Sequence, residues 1–506
     1  MRRHSLAGET RLYSAAQVGE LDRIAIEQFG IPGYTLMRRA ARAAFDALRR
    51  QWPQAFAVAV FCGGGNNGGD GYLLAALAAE AGLAVDCFWL SDPGKLQGDA
   101  AAAHDHCRES GVEPRPWQAS DAVAMAGSGL VIVDAMLGTG LARPVTEAYA
   151  DAISAINDAG QPVLAIDLPS GLNADTGTEM GCAVHATLTV TFIGLKRGAF
   201  TAAGPACCGN IVFAGIDVPS QVHDLVPTEL QLLDEQLVRQ LLPPRRRDAH
   251  KGQHGHVLMI GGDTGMSGAI RMAAEAALRA GAGLVTVATK AEHCVAITQH
   301  RPELMCRAVD GAADLQSLLE RASVVAVGPG LGTGDWGRGL LKVALQSGLP
   351  LILDADALNL LAADDVTLPA GSIITPHPGE AARLLRLGTR EVQADRFRAL
   401  RALVEKTGAV TVLKGAGTLI GDARDTRLCA AGNPGMAVAG MGDLLCGVVA
   451  AMRAQGLAAA DAAALGVLCH AWSGDAEALA NGERGMLPGD LFSHIRRYVN
   501  PSSVQA

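Results

Sequence analysis

Three apolar stretches in the first 220 positions end in residues that could bind a ligand and move protons. Gly63-Gly64-Gly65-Asn66-Asn67-Gly68-Gly69-Asp70-Gly71 follows the run Ala55 to Cys62. Its glycines let the backbone approach a ligand and present N–H groups to phosphate at the start of a helix. Val131-Ile132-Val133-Asp134-Ala135-Met136-Leu137-Gly138-Thr139-Gly140 and Ile166-Asp167-Leu168-Pro169-Ser170-Gly171 each close a strand on an acid. A single aspartate there is ordinarily a helix cap. Three such ends together bring oxygen ligands and acids to one edge of a sheet.

Read literally, Gly63, Gly65 and Gly68 satisfy G-x-G-x-x-G, and Asp86 follows near a second strand. That pattern suits an NAD-dependent oxidoreductase. Asn66, Asn67 and Asp70 oppose it. Two amides and a carboxylate in the turn are superfluous for a pyrophosphate, and a carboxylate beside phosphate is unfavourable without a cation or donors.

The second half carries a separate series. Lys251-Gly252-Gln253-His254-Gly255-His256 leads into Val257 to Ile260 and Gly261-Gly262-Asp263, and Gly265-Met266-Ser267-Gly268-Ala269 opens a helix. Gly328-Pro329-Gly330-Leu331-Gly332, Asp354-Ala355-Asp356-Ala357-Leu358 and Thr375-Pro376-His377-Pro378-Gly379-Glu380 end three further strands. Gly440-Met441-Gly442-Asp443 precedes the apolar helix Leu444 to Met452. Its N–H groups could stabilise a transferring phosphoryl group while Asp443 takes a hydroxyl proton; the plain alternative is that Asp443 caps the helix. Lys414-Gly415-Ala416-Gly417-Thr418 offers a nucleotide phosphate a cation, a flexible backbone and a hydroxyl. No G-x-x-x-x-G-K-[ST] run occurs, which excludes a P-loop. His377 reads equally as a turn histidine bonded to backbone and as a ligand contact.

The elements that must position these residues alternate in type. Leu21, Ile24, Ala25 and Phe29, then Leu36, Met37, Ala40, Ala44 and Leu48, recur at helical spacing around Ile31-Pro32-Gly33, predicting two helices and a turn. Strands follow at 55–62, 84–90, 130–134 and 163–167, with a helix at 72–81. A second series has strands at 256–260, 283–288, 324–327, 351–354, 372–375 and 410–414, with a helix at about 269–280. Such repetition predicts two parallel, doubly wound α/β domains with sites at the strand C-termini. The expected domains are residues 1–222 and 223–506, with Pro243-Pro244-Arg245-Arg246-Arg247 a loop of the second.

Composition agrees. The chain has 506 residues, is 49% hydrophobic and 18% charged, and has 61 glycines, which suits a globular enzyme of more than one domain. A net charge of −9 argues against a nucleic-acid partner. The eleven cysteines include no CxxC pair; they read as small buried hydrophobes in a reducing compartment and argue against zinc. Met1 to Gln17 carries early arginines without an apolar stretch behind them, unlike a secretory signal. The longest apolar candidate, Ala437 to Met452, is interrupted by Asp443. A cytoplasmic location without a membrane partner is expected.

With these residues in view, the first half, about residues 12 to 220, resembles the NAD(P)H-hydrate epimerase family. The marks are G-x-x-N-N-G-G-D-G, V-D-A-x-x-G-x-G and D-x-P-S-G. The resemblance implies a Rossmann-like domain in which Asn66, Asn67, Gly68, Gly69 and Asp70, with Gly138, Thr139, Gly140, Leu141, Ala142, Arg143 and Pro144, hold the hydrated dinucleotide. It implies that Asn67, Asp134 and Ser170 supply oxygens to a potassium ion, and that Asp167 sits at the hydrated ring as the catalytic acid–base. Lys196 is a possible partner for Asp167, although a lysine after a strand is ordinarily a solvated end. Arg38 stands where relatives commonly carry Glu.

The second half, about residues 235 to 500, resembles the ribokinase-like superfamily and within it the NAD(P)H-hydrate dehydratases, through H-K-G-x-x-G, P-G-L-G, D-A-D-A-L, T-P-H-x-G-E and G-x-G-D. This implies nucleotide contacts from Lys414, Gly415, Ala416, Gly417, Thr418 and Gly442. Ala269, Gly330, His377 and Asp443 would meet the hydrated dinucleotide, with Asp443 catalytic. Asp263 replaces a usual Ser. The implied substrates are hydrated NADH and NADPH with ADP, accompanied by magnesium, and a homo-oligomer is expected. Two other readings stay open: a ribokinase-like kinase of a vitamin-type alcohol with an N-terminal binding module, and a non-catalytic nucleotide sensor.

Overall fold

A computed structural model describes residues 6, 8–125, 127–363 and 368–500; the ends of the two expected domains, and with them Arg2 and Arg3, lie outside the described residues. The chain forms two compact units, Arg2–Leu230 and Gln231–Ala506. Each is mixed α/β around its own sheet.

In the first unit seven strands run parallel. Numbered along the chain they are Ala57–Cys62, Ala84–Trp89, Arg115–Pro116, Leu130–Ala135, Val163–Ile166, Leu188–Phe192 and Asn210–Ala214. Their order in the sheet is 3-2-1-4-5-6-7. The order reverses between the first and fourth strands, where ligands bind a doubly wound sheet. All six residues of Leu130–Ala135 are buried, as expected for a parallel strand covered on both faces.

The two expected helices are Ala15–Glu27 and Gly33–Gln51, and Leu21, Ile24, Ala25, Leu36, Met37, Ala40, Ala44 and Leu48 are buried. Phe29 instead is 38% exposed: the helix ends at Glu27, so the apolar face does not continue to it. Arg38 is exposed on the second helix, so it takes no part in that helix's packing.

The helix expected from Tyr72 begins six residues earlier, at Asn66. Glycines disfavour helix, and Gly68, Gly69 and Gly71 hid this start. Packing overrides that preference: a Cβ on Gly68 would lie 2.1 Å from the Gly63 carbonyl oxygen. Asn66, Asn67 and Asp70 therefore stand on a helix rather than in a turn.

The second sheet has ten strands. Seven of them run parallel: His256–Ile260, Leu284–Thr289, Met305–Ala308, Val324–Val327, Leu351–Leu353, Ile373–Ile374 and Val410–Leu413. They repeat the order 3-2-1-4-5-6-7. Thr418–Gly421 and Thr426–Cys429 then add an antiparallel hairpin, and Leu230–Leu232 forms the edge. The helix Met441–Ala454 packs on Ser267–Arg279 and is apolar nearly all round because it is interior. Among the described residues no helix is long and apolar enough to cross a membrane.

Candidate active sites

At the reversal of the first sheet, the strand Ala57–Cys62 hands over to a helix capped by Gly65. A Cβ on Gly63 would sit 1.8 Å from the Met136 carbonyl oxygen, so only glycine lets this turn lie against the end of the neighbouring strand. The Asn67 amide nitrogen and oxygen are buried yet have no hydrogen-bond partner among the described residues. Buried amides are nearly always satisfied, so this one is aimed at something the protein binds.

Asp134 is fully buried and accepts from the Ser170 N–H at 2.7 Å, the Ser170 hydroxyl at 2.5 Å and the Met136 N–H at 3.2 Å. It is a brace between two strand ends rather than a helix cap. Burial raises its carboxyl to about 6, against the opposing effect of those hydrogen bonds. Gly138 lies against both Asn67 and Asp167, 3.5 Å from the Asp167 Oδ2 by its Cβ position. Beyond it, Thr139 and Leu141 are half-buried, while Gly140, Ala142, Arg143 and Pro144 are exposed in an irregular loop.

Asp167 has a left-handed backbone, φ 68°, an uncommon conformation that clusters at functional sites. Lys196 donates to its carboxylate and also bonds the Thr191 hydroxyl at 3.1 Å and the Phe192 carbonyl at 2.8 Å. Its side chain is 1% exposed. The solvated-end reading of Lys196 is thus overturned: a short second strand, Leu195–Lys196, turns it inward. Two further acids join this pair. Burial raises Asp70 well above the usual carboxylate range, reinforced by Asp167 and Asp22. Burial likewise pushes Asp22 up to about 6, the Lys196 charge opposing it. Sequence reasoning missed Asp22, whose only signal was an acid directly after the buried Leu21.

The oxidoreductase reading fails on Asp86. It lies exposed in the middle of Ala84–Trp89 and faces Arg115 at 3.7 Å, not at the C-terminal edge where a ribose would be held.

The second site occupies the same reversal point of the second sheet. The Gly262 N–H donates to the Pro329 carbonyl at 3.1 Å and the Asp263 N–H to the Gly330 carbonyl at 2.7 Å, tying two glycine turns together. Ala269 meets this corner, 3.3 Å from the Cβ position of Gly330. Asp263 has Lys290 at 3.8 Å, so a basic group accompanies the acid that replaces serine.

Lys414 bonds Asp354 at 2.8 Å, and Asp354 is 1% exposed. Gly442 packs on both, its Cβ position 3.2 Å from the Lys414 Nζ. Asp443 stands in the first turn of Met441–Ala454, where no side chain caps the helix, so the capping alternative is excluded. Its carboxylate makes no hydrogen bond among the described residues. Burial, then the Asp354 and Asp356 charges, push it up to about 7, with Lys414 opposing. His377 does cap its helix: Nδ1 accepts from the Gly379 N–H at 2.9 Å and the Glu380 N–H at 3.3 Å. Its Nε2 faces the Glu380 carboxylate at 3.4 Å, and the ring remains half exposed.

The Lys414–Thr418 segment leaves one strand and enters the next. Gly415 and Ala416 are exposed, Gly417 is buried, and the Thr418 hydroxyl donates to the Gly415 carbonyl at 3.1 Å. The fully buried Arg396 organises it, reaching the Leu413, Lys414 and Gly417 carbonyls at 3.1–3.4 Å. Burial brings this guanidinium down to about 10. Nothing in the helical run around Arg396 marked it, because charged residues at that spacing usually face solvent.

Comparisons with known proteins agree with this geometry. Residues 33–198 match the family described as YjeF-related protein N-terminus, and residues 257–497 match NAD(P)H-hydrate dehydratase. A bifunctional NAD(P)H-hydrate repair enzyme Nnr of Coxiella burnetii is 50% identical over 97% of this chain and 100% of its own length. The chain belongs to the bifunctional NAD(P)H-hydrate repair enzymes. The Escherichia coli member is 40% identical over 99% of this chain and 96% of its own. A ribokinase-like superfamily protein of Enterococcus faecalis, solved by crystallography, is 30% identical with a TM-score of 0.50, covering 54% of this chain and 95% of that one. Membership of this repair family accounts for two sites in one chain, one in each unit.

Proposed function

We propose that this enzyme interconverts the R and S forms of hydrated NADH and NADPH in residues 1–222, and dehydrates the S form in residues 223–506 at the expense of ADP, releasing AMP and phosphate. One observation carries the reading: each sheet holds an aspartate–lysine pair at its edge, Asp167 with Lys196 and Asp354 with Lys414. In both units polar groups stand beside the pair with no hydrogen bond made among the described residues, the Asn67 amide in one and the Asp443 carboxylate in the other.

In the first site the hydrated ring bears a hydroxyl on the carbon next to its nitrogen. Moving the hydroxyl proton to the nitrogen opens the C6–N bond, and reclosure on the other face inverts the centre. Asp167 is the proposed proton carrier, with Lys196 holding its position and charge. Asn66 to Asp70 and Gly138 to Pro144 would hold the dinucleotide, Arg143 giving a cation for phosphate. The unpartnered Asn67 amide beside Asp134 and Ser170 makes an oxygen-rich donor set that fits potassium. Bound there, the ion would neutralise charge at the strand ends and fix the dinucleotide.

In the second site Asp443 accepts the hydroxyl proton as that oxygen takes the terminal phosphoryl group of ADP. The S hydrate then loses phosphate from C6 and a proton from the adjacent carbon, restoring the dihydronicotinamide. Lys414 to Thr418 and Gly442 would bind the nucleotide, and Ala269, Gly330 and His377 the substrate. Asp354, Asp356 and Asp443 gather oxygens suited to a hard dication, which fits magnesium arriving with ADP. Unpaired cysteines throughout the described residues support a cytoplasmic setting.

The deciding assay supplies each purified epimer with ADP or ATP and follows the return of dihydronicotinamide absorbance. Recovery from both epimers supports the reading; no recovery with either nucleotide ends it, and phosphorylation of an added vitamin alcohol would favour the kinase.

A further inference from the structure

We propose that Glu179, His185 and Cys207 form a binding site for one zinc-class dication in the first unit, outside the residues assigned to either reaction. Their ligand atoms lie within 4.8 Å of one another, and the Cys207 sulfur is 3.9 Å from a Glu179 oxygen. Around tetrahedral zinc, with bonds of about 2.0–2.3 Å, neighbouring ligand atoms stand about 3.3–3.8 Å apart. The three side chains are within small rotations of that arrangement.

The frame is set before any ion arrives. Asn157 clamps the histidine segment, its amide donating to the Ala183 carbonyl at 3.0 Å and its oxygen accepting from the His185 N–H at 2.9 Å. The Ala186 N–H donates to the Cys207 carbonyl at 2.7 Å, which locks the segment beside the short helix Gly204–Cys208. Glu179 is held by an antiparallel bridge to Leu172. What these bonds leave free is the chemistry. Among the described residues, the His185 ring makes no hydrogen bond, and the Glu179 carboxylate accepts only from the Cys207 thiol, with the Cys182 thiol close enough to feel its charge. Glu179 and His185 are exposed and give an ion access, while Cys207 is the buried floor.

A thiolate, an imidazole and a carboxylate select zinc and its neighbours over potassium, magnesium or calcium. Binding would exchange the Cys207 thiol proton for the metal and leave one position for water. The sequence argued against zinc because it has no CxxC pair. The fold supplies the missing proximity, bringing Cys207 from a different element to Glu179 and His185. A bound ion would tie the segment that follows Ser170 to that helix and stabilise the first unit by mass action.

The test uses the full-length protein and cobalt(II) as probe. A near-ultraviolet thiolate-to-cobalt band, saturating at one ion per chain and displaced by zinc, is the expected result. His185→Ala and Glu179→Gln, both at exposed positions, should weaken binding by at least about tenfold. Cys207→Ser should remove the band, and Cys182→Ser should keep it. The proposal is overturned if no thiolate band forms, if His185→Ala binds with unchanged affinity, or if the band survives in Cys207→Ser. Should Cys207→Ser not fold, the two exposed variants decide alone.

Discussion

The Lys196 ammonium is buried and donates to the carboxylate of Asp167, a residue held at a φ of 68°. Asp70 and Asp22 act on the same pair, so the lysine is the cation that lets acids gather here. Lys196→Met would remove it and leave the neighbouring carboxyls to protonate. Epimerisation should fall by roughly 10²–10⁴, the usual worth of a positioned acid–base group, while the S form is still dehydrated. Asp167→Asn should behave alike, with only one epimer consumed. Chromatography of the two epimers over time checks both; wild-type interconversion in either variant removes Asp167 from the mechanism.

Asp443, raised to about 7, must be ionised to take a proton. Dehydration of the S form should therefore lose rate as pH falls through about 7, and kcat/KM against pH shows it. The folded carboxyl binds its proton more tightly than the unfolded one, so the contribution of Asp443 to stability is fully present below the ordinary carboxylate range and is lost as pH rises toward 7. Asp443→Asn should abolish dehydration, keep epimerisation, and melt higher than wild type at pH 8. A lower melting temperature there would mean that the carboxylate supports the fold instead.

The central strands of both sheets were legible from their apolar runs, because a parallel strand buried on two faces leaves a continuous hydrophobic signature; the end strands Asn210–Ala214 and Met305–Ala308, only partly buried, were not. Arg115–Pro116 is too short to leave such a signature, and the hairpin Thr418–Gly421 with Thr426–Cys429 follows a glycine segment that was read only for its phosphate-binding groups. The acids at strand ends were visible because their positions repeat. Asp22, Arg396 and the inward turn of Lys196 were not, since a single charged residue carries no periodicity and its burial is decided by partners far along the chain.

Arg396 holds the Leu413, Lys414 and Gly417 carbonyls, in and beside the segment proposed to bind the nucleotide. A lysine reaches one point where the guanidinium fork spans several. Arg396→Lys should raise the KM for ADP by roughly tenfold with a smaller change in kcat, and unsatisfied carbonyls should cost about 1–3 kcal/mol. Equal losses in kcat and KM, or none, would assign Arg396 to the fold alone.

The unpartnered Asn67 amide gives the potassium reading its own test. Epimerisation should be faster in potassium than in lithium or tetramethylammonium chloride at equal ionic strength. In Asn67→Leu that difference should vanish, at little cost in stability because no hydrogen bond is lost. A wild-type rate indifferent to the cation would leave the amide to the dinucleotide.

Gly63 and Gly65 separate contact from conformation within one turn. A Cβ at Gly63 would meet the Met136 carbonyl at 1.8 Å, whereas none of the surroundings lies within 4 Å of one at Gly65. Neither needs a left-handed backbone; Gly65 caps its helix at φ −120°. Gly63→Ala must push the turn away from the strand carrying Asp134 and should cut epimerisation more than about tenfold, with overpacking costs of roughly 1–3 kcal/mol. Gly65→Ala should cost about 1 kcal/mol or less as a weaker cap and keep activity. Dehydration of the S form should be unchanged in both, measured alongside the melting curve. Equal epimerisation in the two variants would show that the turn's closeness to Met136 is not what shapes the site.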